Sequence, residues 1–404
     1  MPYQQTVALL RAVFKTTFTD KPIAKFTQGK QPFLEWLPTN NQFYGDDHKV
    51  PLMSTPQGHV SNTFGDAQEA KGGSAYEAFL VTRRHQYLLR SITREAIEAA
   101  EKDVGAFVRT KTAEMEASLK RLAQQIGADC QGDGSGLVGT TVSASTANNN
   151  FVVGDNDIVK FEPKMRLVFY TSGDVLRPGV AGYGVVSAVD YDSNTVTLTS
   201  GDGDTVTQLA LAAGGTDKVY PKGSVSNALQ GTEAWIPTTR TGLTVAFNNV
   251  VRSTFPSRLA GIYFDGSSYG IAEALERGFA RARKEQVMPD VVWVNFKRFT
   301  DLSIELGARC VREPYKMGTF AYDSIKLAVG GREVRVLADQ NFADTSALAC
   351  TKDTWQLRSL KGMPRLLNDN IVEAASDGIE IRYGWDGNLI NRAPGENIRF
   401  KLPT

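Results

Sequence analysis

One periodic segment constrains this chain more than any other feature. From Thr93 to Ile126, apolar side chains recur at Ile97, Ala100, Val104, Phe107, Met115, Leu119, Leu122 and Ile126. That three-to-four spacing predicts one amphipathic helix. Thr93 supplies an N-cap with Glu95 in the first turn, Glu98–Lys102 and Glu116–Lys120 are favourable i, i+4 pairs, and Gly127 stops the run. At ~1.5 Å per residue such a segment makes a rod of ~50 Å, wider than a small domain. The rest of the chain must pack along a strut, which can bend at Gly105.

What precedes the strut does not read as a compact domain. The stretch FTQGKQPFLEWLPTNNQFYGDDHKVPLMSTPQGHVSNTFGDAQEAKGGSAYE is punctuated by Gly, Pro, Asn, Asp and Ser. Its apolar clusters are brief, such as Phe33, Leu34, Trp36 and Leu37, yet it keeps Trp36, Phe43, Tyr44, Phe64 and Tyr76, which a disordered linker lacks. An extended arm whose apolar residues find partners on another subunit satisfies both observations. A strand-like run, Tyr76 to Leu89, joins this arm to the strut.

After the strut the texture changes. From Asp155 to Pro237, short Val/Tyr/Thr-rich runs split by Gly and Asp-Ser-Asn turns predict a small inserted β-barrel. Residues 238–372 alternate strands (LAGIYF, VVWVNF, REVRVLAD) with helices (Ile271 to Glu285, LSIELGAR), a mixed α/β domain around a central sheet. The tail GIEIRYGWDGNLINRAPGENIRFKL returns to alternating strands.

Composition excludes several functions. Among 404 residues, 45 Lys and Arg face 44 Asp and Glu, a net charge of +1, so the chain as a whole is not a basic nucleic-acid or membrane-surface binder. No run approaches the ~18 apolar residues that span a bilayer, and the start lacks a signal peptide's apolar stretch, so the expectation is a soluble, cytoplasmic product. Cys130, Cys310 and Cys350 lie far apart and form neither a zinc site nor a disulfide framework.

Two motif matches fail on context. Gly266-Ser267-Ser268-Tyr269-Gly270 places Ser268 in a nucleophile slot between a strand and a helix. The hydrolase order needs a later histidine, yet the three histidines, His48, His59 and His85, all precede it. A turn capping the next helix explains the match. Gly134 to Gly139 fits GxGxxG, but the helix precedes it and a strand follows, the inverse of a dinucleotide site. Asp155/Asp157 and Asp202/Asp204 fit no EF-hand and read as hairpin-turn acids. Arg83, Arg84, Arg90 and His85 form a basic cluster, read as a solvated or inter-subunit face against the sharper reading of phosphate contact. No catalytic residue, cofactor site or metal site is expected.

The order of parts resembles the major capsid proteins of tailed phages with the HK97 fold. IGADCQGDGSGLVG resembles that family's Gly-rich exit from the spine helix. LQGTEAWIPTTRTGLTVAFNNVVRSTFPSRLAG resembles the stretch leading into the A-domain, and DTWQLRSLKGMPRLLNDN with the tail resembles the return to the P-domain. The likeness runs from about residue 33 onward.

The resemblance implies an α+β fold: N-arm 1–38, E-loop 39–82 lying over a neighbour, spine helix and first P-domain part 83–154, inserted β subdomain 155–237, A-domain 238–372 and P-domain return 373–404. It implies pentamers and hexamers closing an icosahedral shell around double-stranded DNA, contacted non-specifically, with the virion as destination. Implied partners are further copies of the chain, a separate scaffolding protein, a portal and a decoration protein. Without the charged N-terminal segment of some members, scaffolding would be separate or its segment removed. Some members cross-link an E-loop lysine to a P-domain asparagine. Lys49, Lys71, Asn368 and Asn370 are the residues in those regions, nothing local marks a pair, and the expectation is no cross-link. An encapsulin-like nanocompartment is the alternative of the same architecture. The alternatives of other kinds are a tail or sheath tube and a serine hydrolase built on Ser268.

Overall fold

A computed structural model describes residues 31–55, 60–69, 71–93, 104–317, 320–329, 331–361, 365–372 and 378–403. The chain forms a mixed α/β fold of two sheets, one closed barrel, a long hairpin and a long helix. The helix spans Val104–Asp129, about 39 Å at 1.5 Å per residue. It differs from expectation at both ends. Thr93 ends a strand, Arg84–Thr93, instead of capping the helix, and positions 94–103, with the expected Glu98–Lys102 pair, lie outside the described residues. Gly127 does not stop the helix. A Cβ there would lie 2.5 Å from the Gln31 side chain, so the glycine admits the preceding segment against the helix.

That segment corrects the arm expectation. Phe33, Leu34, Trp36 and Leu37, on and beside a short helix Pro32–Trp36, are buried in the chain's own core. Phe33 meets Trp293 edge-on at 5.3 Å and Phe342 at 5.6 Å, while Trp36 meets Trp293 at 5.7 Å. Its apolar residues therefore need no second subunit. The Phe33 amide donates to the buried Asp339 carboxylate at 2.9 Å, which fixes the segment's start.

A five-stranded sheet lies along the helix. Its central strand, Gly378–Asn391, pairs with Arg84–Thr93 on one side and with Arg365–Val372 and Trp355–Ser359 on the other. Ile381, Tyr383 and Trp385 alternate into the core, the period-two pattern of a strand with one covered face. The run expected as one strand from Tyr76 to Leu89 is two. Ala75–Thr82 pairs with Asp47–Thr55 in the hairpin, and the chain turns at Arg83 into the five-stranded sheet.

The second sheet has seven strands, with Val291–Val294 buried on both faces at its centre and helices Ile271–Arg283 and Phe296–Leu306 packed on it. The expected LSIELGAR helix thus begins earlier, at an Asn295 N-cap whose side chain accepts from the Lys297 amide. The sheets do not respect the expected 372/373 division. Trp355–Ser359 and Arg365–Val372 join the five-stranded sheet, and the last strand, Ile398–Lys401, inserts between Ile262–Asp265 and Ser346–Cys350 in the seven-stranded one. Ridding the chain of two edges explains the crossover, because the last strand is paired on both sides.

The barrel closes six strands: Gly139–Ser145, Asn150–Val153, Arg166–Tyr170, Gly184–Asp190, Thr195–Leu198 and Lys218–Pro221. It begins at Gly139, before the expected start at residue 155, because its closing strand needs Gly139–Ser145 as a neighbour. Phe151, Phe161, Phe169 and Val196 fill it. The GxGxxG match is the turn into its first strand. Gly134 and Gly136 take φ of 87° and 82°, and a Cβ on Gly136 would strike the Ser224 backbone.

Candidate assembly surface

The hairpin Asp47–Thr55/Ala75–Thr82 is built in two halves. At its root Val50 faces Phe79 across the strands, and both are buried with Val81. The Phe79 ring meets Trp235 at 5.2 Å and Phe247 at 6.2 Å, both near edge-on, which is the preferred aromatic geometry. Toward the tip the pattern inverts. Phe64 is 83% exposed, Val60 93% and Tyr76 66%, with Met53 also exposed. Large apolar residues gathered at an exposed tip mark an interaction site, because a monomer gains nothing by displaying them.

Polar contacts fasten the hairpin at both ends of its strands. Arg258 donates to the Ser54 carbonyl at 2.7 Å, and Arg83 bonds the Gly45 carbonyl and Asp46 carboxylate, both at 3.0 Å. His48 lies against Arg358 of the five-stranded sheet, whose Nη1 is 2.8 Å from Nε2. Arginine only donates, so the accepting imidazole nitrogen must be unprotonated. Burial first, then the charges of Arg358 and Arg392, lower the His48 pKa. This pairing has no sequence signature, since the two residues are 310 positions apart.

The basic cluster is resolved into intrachain roles. Arg84 bonds Asn227 at 3.4 Å, His85 pairs at 2.7 Å with its cross-strand neighbour Asp386, and Arg90 Nε donates to Ser118 on the long helix at 3.2 Å. The exposed Lys49 sits on the hairpin, and Lys71 follows the short helix Phe64–Glu69 at its tip. Asn368 and Asn370 lie on Arg365–Val372, and their side chains are outside the described residues.

Where the long helix ends, a cavity of about 370 Å³ opens between helix, barrel and seven-stranded sheet, lined by Asp129, Asp157, Lys160, Glu233, Asn341 and Arg399 among others. Asp129 is half-buried at the helix C-terminus. Burial pushes its pKa up to about 7 against the hydrogen bonds of Gln125 and Gln86. Lys160 pairs with Asp157 at 2.7 Å, and Arg399 with Glu233 at 3.4 Å. Among the described residues no acidic, histidine or cysteine group is arranged to hold a metal.

Hydrolase geometry is absent from the described residues. Ser268 is exposed on the turn before Ile271–Arg283, and Ser267, not Ser268, bonds Asp265 at 2.6 Å. His48 and His85 are engaged with Arg358 and Asp386, and His59 lies outside the described residues. The paired aspartates brace loops: Asp157 holds Lys160, Asp155 accepts from Asn194 at 3.3 Å, and Asp204 accepts backbone amides. Cys130 and Cys350 are buried free thiols, and Cys310 is half-buried. No described helix is long and apolar enough to cross a membrane.

No family model and no curated protein matches the chain. Solved structures do. The cyanophage A-1(L) capsid asymmetric unit aligns over 96% of this chain and 98% of its own, at 11% identity and a TM-score of 0.53. The capsid of the native GTA particle aligns over 100% of both chains at 9% identity and TM-score 0.48. The holo-SrpI encapsulin complex from Synechococcus elongatus PCC 7942 covers 99% of this chain and 95% of that one, at 7% identity and TM-score 0.47. The end-to-end match to the cyanophage capsid bears out the expected phage-capsid fold.

Proposed function

We propose that this chain is a phage major capsid protein, a shell subunit that assembles with copies of itself through pentamers and hexamers around double-stranded DNA. What carries the reading is the whole-length likeness to the cyanophage capsid asymmetric unit. The inside-out hairpin supports it: buried at its root, apolar and exposed at its tip. In this reading the hairpin is the E-loop, Val104–Asp129 the spine helix, the five-stranded sheet the P-domain and the seven-stranded sheet the A-domain, with the barrel as an insertion. The contacts are heterologous, one surface meeting a different surface of the next copy, and they close when the rotation closes. Nothing here requires catalysis. A scaffolding protein, a portal and a decoration protein would be its partners, and the virion its location.

Electron microscopy of the purified protein, alone and with co-expressed neighbouring gene products, tests this. Closed shells of uniform diameter are expected. Open tubes, or a monomer under every salt condition, would overturn it. Shells that enclose an enzyme and no nucleic acid would replace it with the nanocompartment alternative.

A further inference from the structure

On the barrel, the connection between Arg166–Tyr170 and Gly184–Asp190 spans residues 171–183 and contains DVLRPGVAGY. A surface loop of this length is ordinarily loosely held. This one is fastened by two carboxylates that are themselves buried. Asp204 accepts the amides of Val180 and Ala181 at 2.9 Å and of Tyr183 at 3.2 Å. Asp217 accepts Arg177 Nε at 3.0 Å and Nη2 at 2.6 Å, while the Ala212 amide holds its other oxygen at 2.8 Å. Gly179 packs directly on the Asp204 carboxylate. Yet the side chains that this brace presents are apolar and face water: Val180 is 88% exposed and Val175 63%, with Leu176 also exposed. A fixed backbone carrying exposed apolar side chains is a preorganised contact, since its ordering cost has already been met.

Beside Val180, the ring of Tyr183 carries two cations. Lys222 Nζ sits 3.9 Å from its centroid and Arg166 Cζ 5.2 Å. Both cations are held over this ring, and neither stands in an ion pair among the described residues. Among the described residues, another exposed apolar surface carries the opposite sign. The hairpin tip offers Val60, Phe64 and Tyr76 together with exposed Asp66, Glu69 and Glu77 against Lys71. We infer that the braced loop 171–183, with Arg166 and Lys222, receives the acidic hairpin tip of a second copy of this chain. This rests on the shell reading and names one of its contacts. Apolar area holds the pair together, and the two cations against the tip carboxylates fix its register.

Two cysteines test it in the full-length assembled protein, in a Cys310→Ser background. Val180→Cys with Phe64→Cys should give a ladder of disulfide-linked oligomers on oxidation, and Val180→Cys with Tyr44→Cys should not. In parallel, Arg166→Glu/Lys222→Glu and Glu69→Lys/Glu77→Lys should each raise the concentration for half-assembly about 10-fold or more, and the four together should restore it. A ladder from Val180→Cys alone would mean that barrel meets barrel and would overturn the hairpin as occupant. So would shells in which Val180→Cys stays fully open to maleimide, or in which neither charge reversal matters. A wild-type chain that never assembles would instead sink the shell reading itself.

Discussion

The two halves of the hairpin should respond oppositely to the same substitution. Phe79→Ala removes a fully buried ring from contact with Trp235, Phe247 and the facing Val50. Large-to-small changes of this kind cost about 3–5 kcal/mol, the lost transfer energy plus the cavity left behind. Phe64→Ala removes a ring that is 83% exposed, and surface changes of that kind stay within about 0.5 kcal/mol. For assembly the order reverses. If another copy buries Phe64, its loss forfeits about 1.5–3 kcal/mol per contact, or about 10- to 150-fold in association.

Urea unfolding of dissociated subunits, followed by tryptophan fluorescence, reads the first effect, because Trp235 lies beside the deleted Phe79 ring. Light scattering against protein concentration reads the second. A subunit destabilised by more than about 1 kcal/mol in Phe64→Ala would show that the tip packs within its own chain. Unchanged assembly in Phe64→Ala would show that the tip is no interface. Either result refutes the division between root and tip.

Three further substitutions probe half-buried and buried polar groups. His48 has a folded pKa below its unfolded value of about 6.5, so the unfolded chain takes the proton first. Its contribution is complete above about pH 6.5 and declines as pH falls below it. His48→Gln should flatten the acid limb of a stability-against-pH curve measured by thermal unfolding. Asp129 is the opposite case, with a folded pKa of about 7 above its unfolded value, so its cost grows as pH rises from about 4 to about 7. Asp129→Asn should therefore raise the melting temperature at pH 8 relative to wild type, with the gain vanishing near pH 4. Asp217→Ala strands the Arg177 guanidinium and the Ala212 amide, and about 3–5 kcal/mol should be lost. Limited proteolysis should then cut within 171–183, where wild type resists.

The parts legible in the sequence were those with local periodicity. The apolar spacing of Leu119, Leu122 and Ile126 marked the helix, the Val/Thr runs of 184–198 marked barrel strands, and Gly134 and Gly136 marked a turn that their positive φ requires. What failed depended on distance along the chain. Phe33 and Trp36 looked partnerless because Trp293 and Phe342, which cover them, are more than 250 positions away. Ile398–Lys401 looked like part of the preceding strand's sheet, because a strand's alternation records that a face is covered and not which sheet covers it. Among the interaction residues, the tip aromatics were visible as oddities in a loop-like segment. Asp204 read as an ordinary turn acid and Asp217 carried no signal in the sequence, and only their burial reveals the brace.

The long helix is tied to the barrel, the five-stranded sheet and the N-terminal segment through few, directional contacts. Arg121 joins it to the barrel by Glu162 at 2.9 Å, Arg90 and Ser118 join it to the five-stranded sheet, and Gly127 meets Gln31 of the N-terminal segment. Gln86 of the sheet reaches Asp129 at its end. Each of these groups is wholly or partly shielded from water, so sliding one body along the helix would strand a donor or a charge before any new partner is reached. Such joints favour discrete rearrangements over gradual bending, since a half-broken buried bond costs more than either end state. If the proposed shell reading holds, one sequence occupying several positions would take up the differences elsewhere. In that reading the hairpin tip, where Val60, Phe64 and Tyr76 are exposed, is a place where such a change breaks no apolar packing within the chain.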